Sequence, residues 1–335
     1  MKILIIRFSS MGDVILTTPV FNYLKEVDIN NEITLLTDKN YVELFTDDPR
    51  LKSVLGFNRK ALLTSLSIFD EEWDQIIDLQ NNKKSRIIVS LIKKSTRIGS
   101  FQKLHFQRNL LLLTRTNIYP AQSDVVSRYL QAAEVKNIPS GFNKGPKLFF
   151  SPSTSSHYEK IVQSDSIIRP TIALLPFSAW KNKEWSLRHF VIVGKFFITK
   201  GWNVVIMGSK SEQEQAEQLC SLIGNKAICL AGKLSLHQCG CVLSKCNIAL
   251  GNDSGLSHLA RACGVKTAII YGPTTHHFGF YPSGSPAFKV IEKALFCRPC
   301  HPHGGNFCLR IKHSCMREIK PEVVISELLK LFLGE

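Results

Sequence analysis

Four short segments and one long run carry the residues that could do chemistry. Asp13 ends the loop Ser9-Ser10-Met11-Gly12-Asp13, directly behind the apolar run Lys2–Phe8. A carboxylate projected from such a loop can take a proton from an attacking hydroxyl, and the same position suits a first-turn acid that stabilises a helix. A second segment, Gly251-Asn252-Asp253-Ser254-Gly255-Leu256-Ser257-His258, follows another apolar run. Small residues beside a helix N-terminus let backbone N–H groups approach a phosphate, Ser254 adds a hydroxyl donor, and Asp253, which a phosphate would repel, suits sugar hydroxyls. The third segment, Leu175 to Trp185, carries Lys183, a cation for a leaving diphosphate. The fourth, Cys297-x2-Cys300-x7-Cys308-x6-Cys315, is interleaved with His301, His303 and His313. Its first pair has zinc-knuckle spacing and its second is too wide for a zinc ribbon, so a structural metal cluster competes with free thiols or an oxidation-dependent disulfide.

The long run is basic. No acid lies between Asp78 and Asp124, while Lys83, Lys84, Arg86, Lys93, Lys94, Arg97, Lys103, Arg108 and Arg115 all do. Apolar residues from Ile87 to Ile92 give this run a packing side and leave its cations for phosphates or an anionic bilayer; the plainer reading is a solvated helix face.

Positioning these segments takes two α/β units. The first half alternates short strands (Lys2–Phe8, Glu32–Thr37, Gln75–Leu79, Thr96–Ile98) with helical stretches, the first expected from Val14 to about Val27. A Ser- and Pro-containing stretch from Ser151 to Pro170 reads as a linker. The pattern then restarts with Thr171–Leu175, Asn203–Met207, Ala227–Leu230, Ile248–Leu250 and Thr267–Tyr271. Ligands of doubly wound sheets sit beyond the carboxyl ends of strands, where Asp13, Lys183 and Asp253 fall.

The composition fits this. In 335 residues, 44% are hydrophobic and 21% charged, which excludes a disordered chain. Lys and Arg number 42 against 27 Asp and Glu, a net charge of +15 that favours an acidic partner. All ten cysteines lie between Cys220 and Cys315, too sparse for a disulfide-stapled domain. The apolar run before Arg7 is too short for a signal peptide, and no run approaches the roughly 18 apolar residues of a membrane span. A soluble or surface-attached protein is expected.

Taken together, the motifs resemble the lipopolysaccharide heptosyltransferases (glycosyltransferase family 9). The markers are Arg7 to Asp13 with Val14 to Pro19, Asp78 to Gln80, Lys183 to Trp185, Asp253 to His258, and Tyr271 to Thr274. They run through nearly the whole chain. The resemblance implies an α/β GT-B architecture, two Rossmann-like doubly wound domains facing across a cleft. Residues 1–160 would bind the acceptor and 161–335 the nucleotide-sugar donor, with the last helix packing back on the first domain. It implies inverting transfer of heptose from ADP-L-glycero-D-manno-heptose to a hydroxyl of a lipid A-linked inner-core acceptor.

In that reading Asp13 is the general base, and Ser178, Lys183, Glu212, Leu234, Asp253, Ser254, Gly255 and His258 hold the donor. Lys83, Lys84, Arg86, Lys93, Lys94 and Arg97 face the acceptor or the membrane. No catalytic metal, other cofactor or nucleic acid is expected, and the place of work is the cytoplasm, at the inner face of the cytoplasmic membrane. The chain departs from the family pattern in Ser254 for a usual threonine, in Ala179 where a hydroxyl can occur, and in the pair His276-His277. These departures bear on the donor sugar. The competing readings are a related transferase using another nucleotide sugar, a basic nucleic-acid-binding α/β protein, and a zinc-dependent interaction module.

Overall fold

Apolar runs of four to six residues, too short for helices and rich in Ile, Leu and Val, form the centres of two parallel sheets. The computed structural model describes residues 1–58, 67–92, 95–121, 123–135, 137–151, 169–308, 310 and 312–335. The first sheet contains β1 (Lys2–Ile6), β2 (Glu32–Asp38), β3 (Leu51–Phe57), β4 (Trp73–Asp78) and β5 (Ser95–Ser100), in the order β3-β2-β1-β4-β5. Around it lie α1 (Met11–Ile15), α2 (Thr18–Val27), α3 (Lys83–Leu91), α4 (His105–Thr114) and α5 (Val125–Ala132). The second contains β6 (Thr171–Leu175), β7 (Asn203–Ile206), β8 (Ala227–Cys229), β9 (Ile248–Asn252), β10 (Lys266–Tyr271) and β11 (Phe288–Glu292), in the order β11-β10-β9-β6-β7-β8. Its helices are α6 (Leu187–Thr199), α7 (Gln213–Ile223), α8 (Leu236–Leu243), α9 (Gly255–Ala262), α10 (Ser314–Arg317) and α11 (Pro321–Leu333). Every strand pair is parallel. This is the GT-B architecture, with two doubly wound domains.

Strands buried on both faces need apolar residues at every position, and β1 shows why. Ile3 and Ile5 join a core with Val14, Phe21 and Tyr129, while Leu4 and Ile6 join one with Leu36, Trp73 and Ile76 on the opposite face. Each such side chain contributes about 1.5–3 kcal/mol by leaving water. Ala173 and Leu175 of β6 belong to the same cluster as Ile3 and Ile5, so one apolar core runs between the domains.

Two expectations are corrected, and two strands were missed. The single helix expected from Val14 to about Val27 is broken into α1 and α2 because Pro19, in the first turn of α2, has no N–H for the Ile15 carbonyl. The Thr18 hydroxyl takes that carbonyl at 2.8 Å instead. The last helix, α11, does not return to the first domain: Val324, Leu328 and Leu331 pack with Ile172, Ile248 and Ile270 of the second sheet. Edge strands β3 and β11 were not foreseen; their half-exposed residues lack the continuous apolar run of a buried strand. The expected domain border at 160/161 lies outside the described residues. No helix among the described residues is long and apolar enough to cross a membrane.

Candidate active site

In each sheet the strand order reverses once, between β1 and β4 in the first and between β6 and β9 in the second. At such a point neighbouring connections leave in opposite directions and open a crevice beyond the strand ends. The segments after β1, β6 and β9 carry Asp13, Lys183 and Asp253; Asp13 stands in the first turn of α1, capped by Ser10, and not in a loop ahead of a helix starting at Val14 as expected. These residues line one cavity of about 540 Å³, with Ser10 and Gly12 from the first domain and Ser178, Ser254, Gly255 and His258 from the second. An adjoining cavity of about 840 Å³ contains Glu212 and Leu234 and shares Ser178, Ser254 and Gly255 with the first. All nine residues expected to perform catalysis or hold the donor therefore surround two contiguous cavities.

Asp13 is held from three sides. Arg7 Nη2 lies 2.8 Å from Oδ1, the Ser10 amide and hydroxyl donate to Oδ2 at 3.0 and 2.7 Å, and the Tyr129 hydroxyl donates to Oδ1 at 3.5 Å. Burial pushes this carboxyl up, yet the Arg7 guanidinium and the Ser10 hydrogen bonds outweigh it and hold the group below the usual carboxylate range. It is an ionised acceptor at neutral pH with fixed orientation. Arg7 is itself fastened to the Leu79 carbonyl at 2.5 Å, which ties the Asp13 carboxylate to the switch point at β4.

Lys183 sits in a single 3-10 turn, Lys181–Lys183. Its Nζ lies 2.5 Å from Asp253 Oδ2, with both side chains about nine-tenths buried, and the Thr274 hydroxyl donates to the same oxygen at 3.1 Å. The ammonium thus has a carboxylate partner before any ligand arrives and keeps two N–H groups for phosphate oxygens. Asn252 stitches the two loops together: its Oδ1 accepts from the Trp185 amide at 3.0 Å and its Nδ2 donates to the Pro176 carbonyl at 2.6 Å.

Ser254 is the N-cap of α9 but makes no capping hydrogen bond, and its buried hydroxyl has no partner. A serine at an N-cap usually bonds the next turn; this one leaves its hydroxyl at the cavity wall with no partner in the protein. His258 Nδ1 is also buried without a partner. Burial holds the imidazole below its usual value, so it is neutral at pH 7. Its ring closes on Gly12, where a Cβ would lie 2.7 Å from a ring carbon, so only glycine lets the two domains approach here. Glu212 turns one oxygen back to the Ser209 amide and hydroxyl, at 2.6 and 2.8 Å, and Ser178 accepts from the Trp180 amide at 3.4 Å.

The early part of the basic run is not in the cleft. Lys83, Lys84 and Arg86 are exposed on α3, Arg97 on β5 reaches Glu134 at 3.9 Å, and none of the four lines a cavity that meets Asp13. Lys93 and Lys94 lie outside the described residues. Cys297, Cys300, Cys308 and Cys315 do converge, lining a separate cavity of about 310 Å³ as free thiols. Among the described residues no group of three or more His, Cys, Asp or Glu side chains is placed to hold a metal ion. Their segment instead braces the Lys183 turn: the Gly305 amide donates to Asn182 Oδ1 at 2.7 Å, and His313 Nε2 meets the Asn182 carbonyl at 2.7 Å.

Residues that the sequence reading gave no individual role are Arg7 and Tyr129 on Asp13 and Thr274 on Asp253; His303, noted beside the cysteines, lies instead at the cavity wall. Arg7 and Thr274 stand inside segments already singled out; Tyr129 carried no signal.

Comparison with known proteins bears on the family and the fold. The protein is 25% identical to lipooligosaccharide heptosyltransferase 2 of Haemophilus influenzae over 99% of both chains. In fold it matches the glycosyl transferase family 9 protein of Veillonella parvula, with a TM-score of 0.80 at 21% identity over 100% of this chain and 98% of the other. The E. coli ADP-heptose lps heptosyltransferase II gives a TM-score of 0.79 at 22% identity over 100% and 99%. The sequence model described as glycosyltransferase family 9 (heptosyltransferase) matches residues 64–303, well over half of the protein, and the chain therefore belongs to that family.

Proposed function

We propose that this enzyme transfers heptose, with inversion, from ADP-L-glycero-D-manno-heptose to a hydroxyl of the lipid A-linked lipopolysaccharide inner core. The observation that carries the reading is the pairing of Asp13 from one domain with Lys183 from the other across one cavity. An inverting displacement needs a base on the acceptor side and a cation on the leaving-group side. The acceptor oxygen forms the new bond to the anomeric carbon as the bond from that carbon to the diphosphate oxygen breaks. The acceptor proton passes to Asp13, and the electron pair leaves with ADP. A carboxylate of low basicity can act here because the hydroxyl grows acidic as its oxygen bonds to carbon.

On the donor side Lys183, the unpartnered Ser254 hydroxyl and the α9 N-terminus meet the diphosphate, so the reaction needs no divalent metal or other cofactor. Asp253 and His258 border the sugar, and Glu212 and Leu234 the nucleoside, in the adjoining cavity. The acceptor is membrane-anchored, and the enzyme works in the cytoplasm at the inner face of the membrane. Lys83, Lys84 and Arg86 beside the exposed Ile87 and Leu91 of α3 suit an anionic lipid surface better than they suit nucleic acid. Mass spectrometry of a heptose-free lipid A core acceptor incubated with ADP-heptose tests the reading. A heptose increment is expected; product only with another nucleotide sugar would overturn the donor assignment.

A further inference from the structure

The cavity that contains Glu212 and Leu234 has a second wall, and that wall belongs to the first domain. Lys39, Val42, Glu43 and Thr46 line it from the 3-10 helix Lys39–Phe45 and the residue that follows, while the loops after β7 and β8 line it from the second domain. The 3-10 helix is seated on β3: a Cβ at Gly56 would lie 3.2 Å from a Val42 methyl and 3.3 Å from the Lys39 Cα. Asp38 caps it, accepting from the Asn40 amide at 3.1 Å.

Two first-domain carboxylates fasten this wall to the start of α8. Glu43 Oε1 accepts from the Leu236 amide at 2.9 Å, and Asp47 Oδ2 meets His237 Nε2 at 3.1 Å. Leu236 is the first residue of α8, so its N–H has no partner inside the helix; a carboxylate there satisfies that donor and faces the positive end of the helix dipole. The Ser151 amide holds Asp47 in place by donating to Oδ2 at 2.7 Å. The Phe150 ring meets the His237 ring edge-on at 5.3 Å, and a Cβ on Gly240 would lie 2.3 Å from Phe150, so α8 comes this close only because Gly240 lacks one. The two domains are also joined elsewhere, by the Val125 amide to the Gly279 carbonyl at 3.0 Å and the Leu148 amide to the Ala262 carbonyl at 2.8 Å. What Glu43 and Asp47 add is local: they fix where the 3-10 helix stands beside the cavity. A nucleoside between these walls meets an apolar side chain from each domain, Leu234 from one and Val42 from the other.

We infer that both domains hold the nucleoside of a bound nucleoside diphosphate: the 3-10 helix Lys39–Phe45 covers it, and Glu43 and Asp47 are positioning residues that keep this cover against α8. The inference takes from the proposed function that a nucleotide fills this cavity. It adds that the first domain, otherwise given to the acceptor, takes part in donor binding.

Hydrogen–deuterium exchange of the full wild-type chain, with no ligand and with saturating ADP, UDP or GDP, tests this without any substitution. The nucleotide that slows exchange in residues 208–212 and 232–236 is expected to slow residues 39–46 about fivefold or more, with α3 unchanged. Slowing of the second-domain loops alone would overturn the inference. Slowing of both walls by UDP or GDP and not by ADP would remove the ADP-heptose reading and leave the inference standing; slowing of neither wall by any of the three would overturn both. Calorimetry with the nucleotide that binds then compares variants. Glu43→Ala/His237→Ala is expected to bind it about tenfold more weakly, because the cover is in place for only a fraction of the time. Glu43→Gln, whose amide oxygen still accepts from Leu236, is expected to stay within about twofold of wild type. Wild-type affinity in the double variant, or an equal loss in Glu43→Gln, would overturn the assignment of these residues. Thermal melting without ligand reports whether the double variant folds, and the exchange experiment decides if it does not.

Discussion

Replacing Lys183 separates its observed place as counter-ion to Asp253 from its proposed role as cation for the leaving diphosphate. At 2.5 Å the gross attraction of the pair is about 7 kcal/mol at an effective dielectric constant of 20, from which desolvation of both ions must be subtracted. Removing one partner of such a buried pair costs about 3–5 kcal/mol. Lys183→Met is therefore expected to destabilise the second domain by about that much, leaving Asp253 with the Thr274 hydroxyl. The double variant Lys183→Met/Asp253→Asn removes the stranded charge while an amide oxygen still accepts from Thr274, so most of the stability returns. Activity does not return: losing a fixed donor to a developing anion costs about 10²–10³-fold in kcat. Urea denaturation followed by tryptophan fluorescence, to which buried Trp185 and Trp202 of the second domain contribute, beside heptose transfer at saturating donor, reads both quantities. Recovery of transfer together with stability would refute the argument, reducing Lys183 to a counter-ion.

Ser254→Ala removes a hydroxyl with no partner in the protein, so stability should move by less than about 0.5 kcal/mol while the donor KM rises roughly two- to tenfold, measured by thermal melting and initial rates. Gly12→Ala places a methyl against the His258 ring, and a loss of about 1–3 kcal/mol in a melting experiment is expected. Arg7→Met takes away the cation that keeps the Asp13 carboxyl low and leaves burial to raise it. The carboxylate then picks up its proton at higher pH, so the acidic limb of the kcat–pH profile should move upward from wild type. An unmoved limb would mean that Asp13 does not govern it.

The parts of the site legible in the sequence are those written in short segments at strand ends. Asp13, Lys183 and Asp253 each follow an apolar run and stand where a sheet's topology opens a crevice, so both cleft walls could be assembled from local pattern alone. Long-range partners could not. Tyr129 reaches Asp13 across 116 residues from a helix whose face looks like ordinary core, and Arg128 beside it reads as a surface arginine although it is buried. The basic run raised the expectation of an anionic partner, but the helix period could not say which cations fold toward Asp13; Lys103 and Arg108 do, and Lys83, Lys84 and Arg86 do not. Pro19 carried the break between α1 and α2 in plain view. The placement of α11 depended on which sheet offered an open apolar face, a tertiary fact.

The central claim, that Asp13 and Lys183 work from opposite walls of one metal-free cleft, is tested most directly by product mass spectrometry. ADP-heptose and a lipid A core acceptor are incubated with wild type and Asp13→Asn, each with and without EDTA. The account predicts a heptose increment for wild type that EDTA leaves unchanged, and a rate at least about 10²-fold lower for Asp13→Asn with ADP affinity retained. Undiminished turnover by Asp13→Asn, or loss of the wild-type product in EDTA, would contradict it.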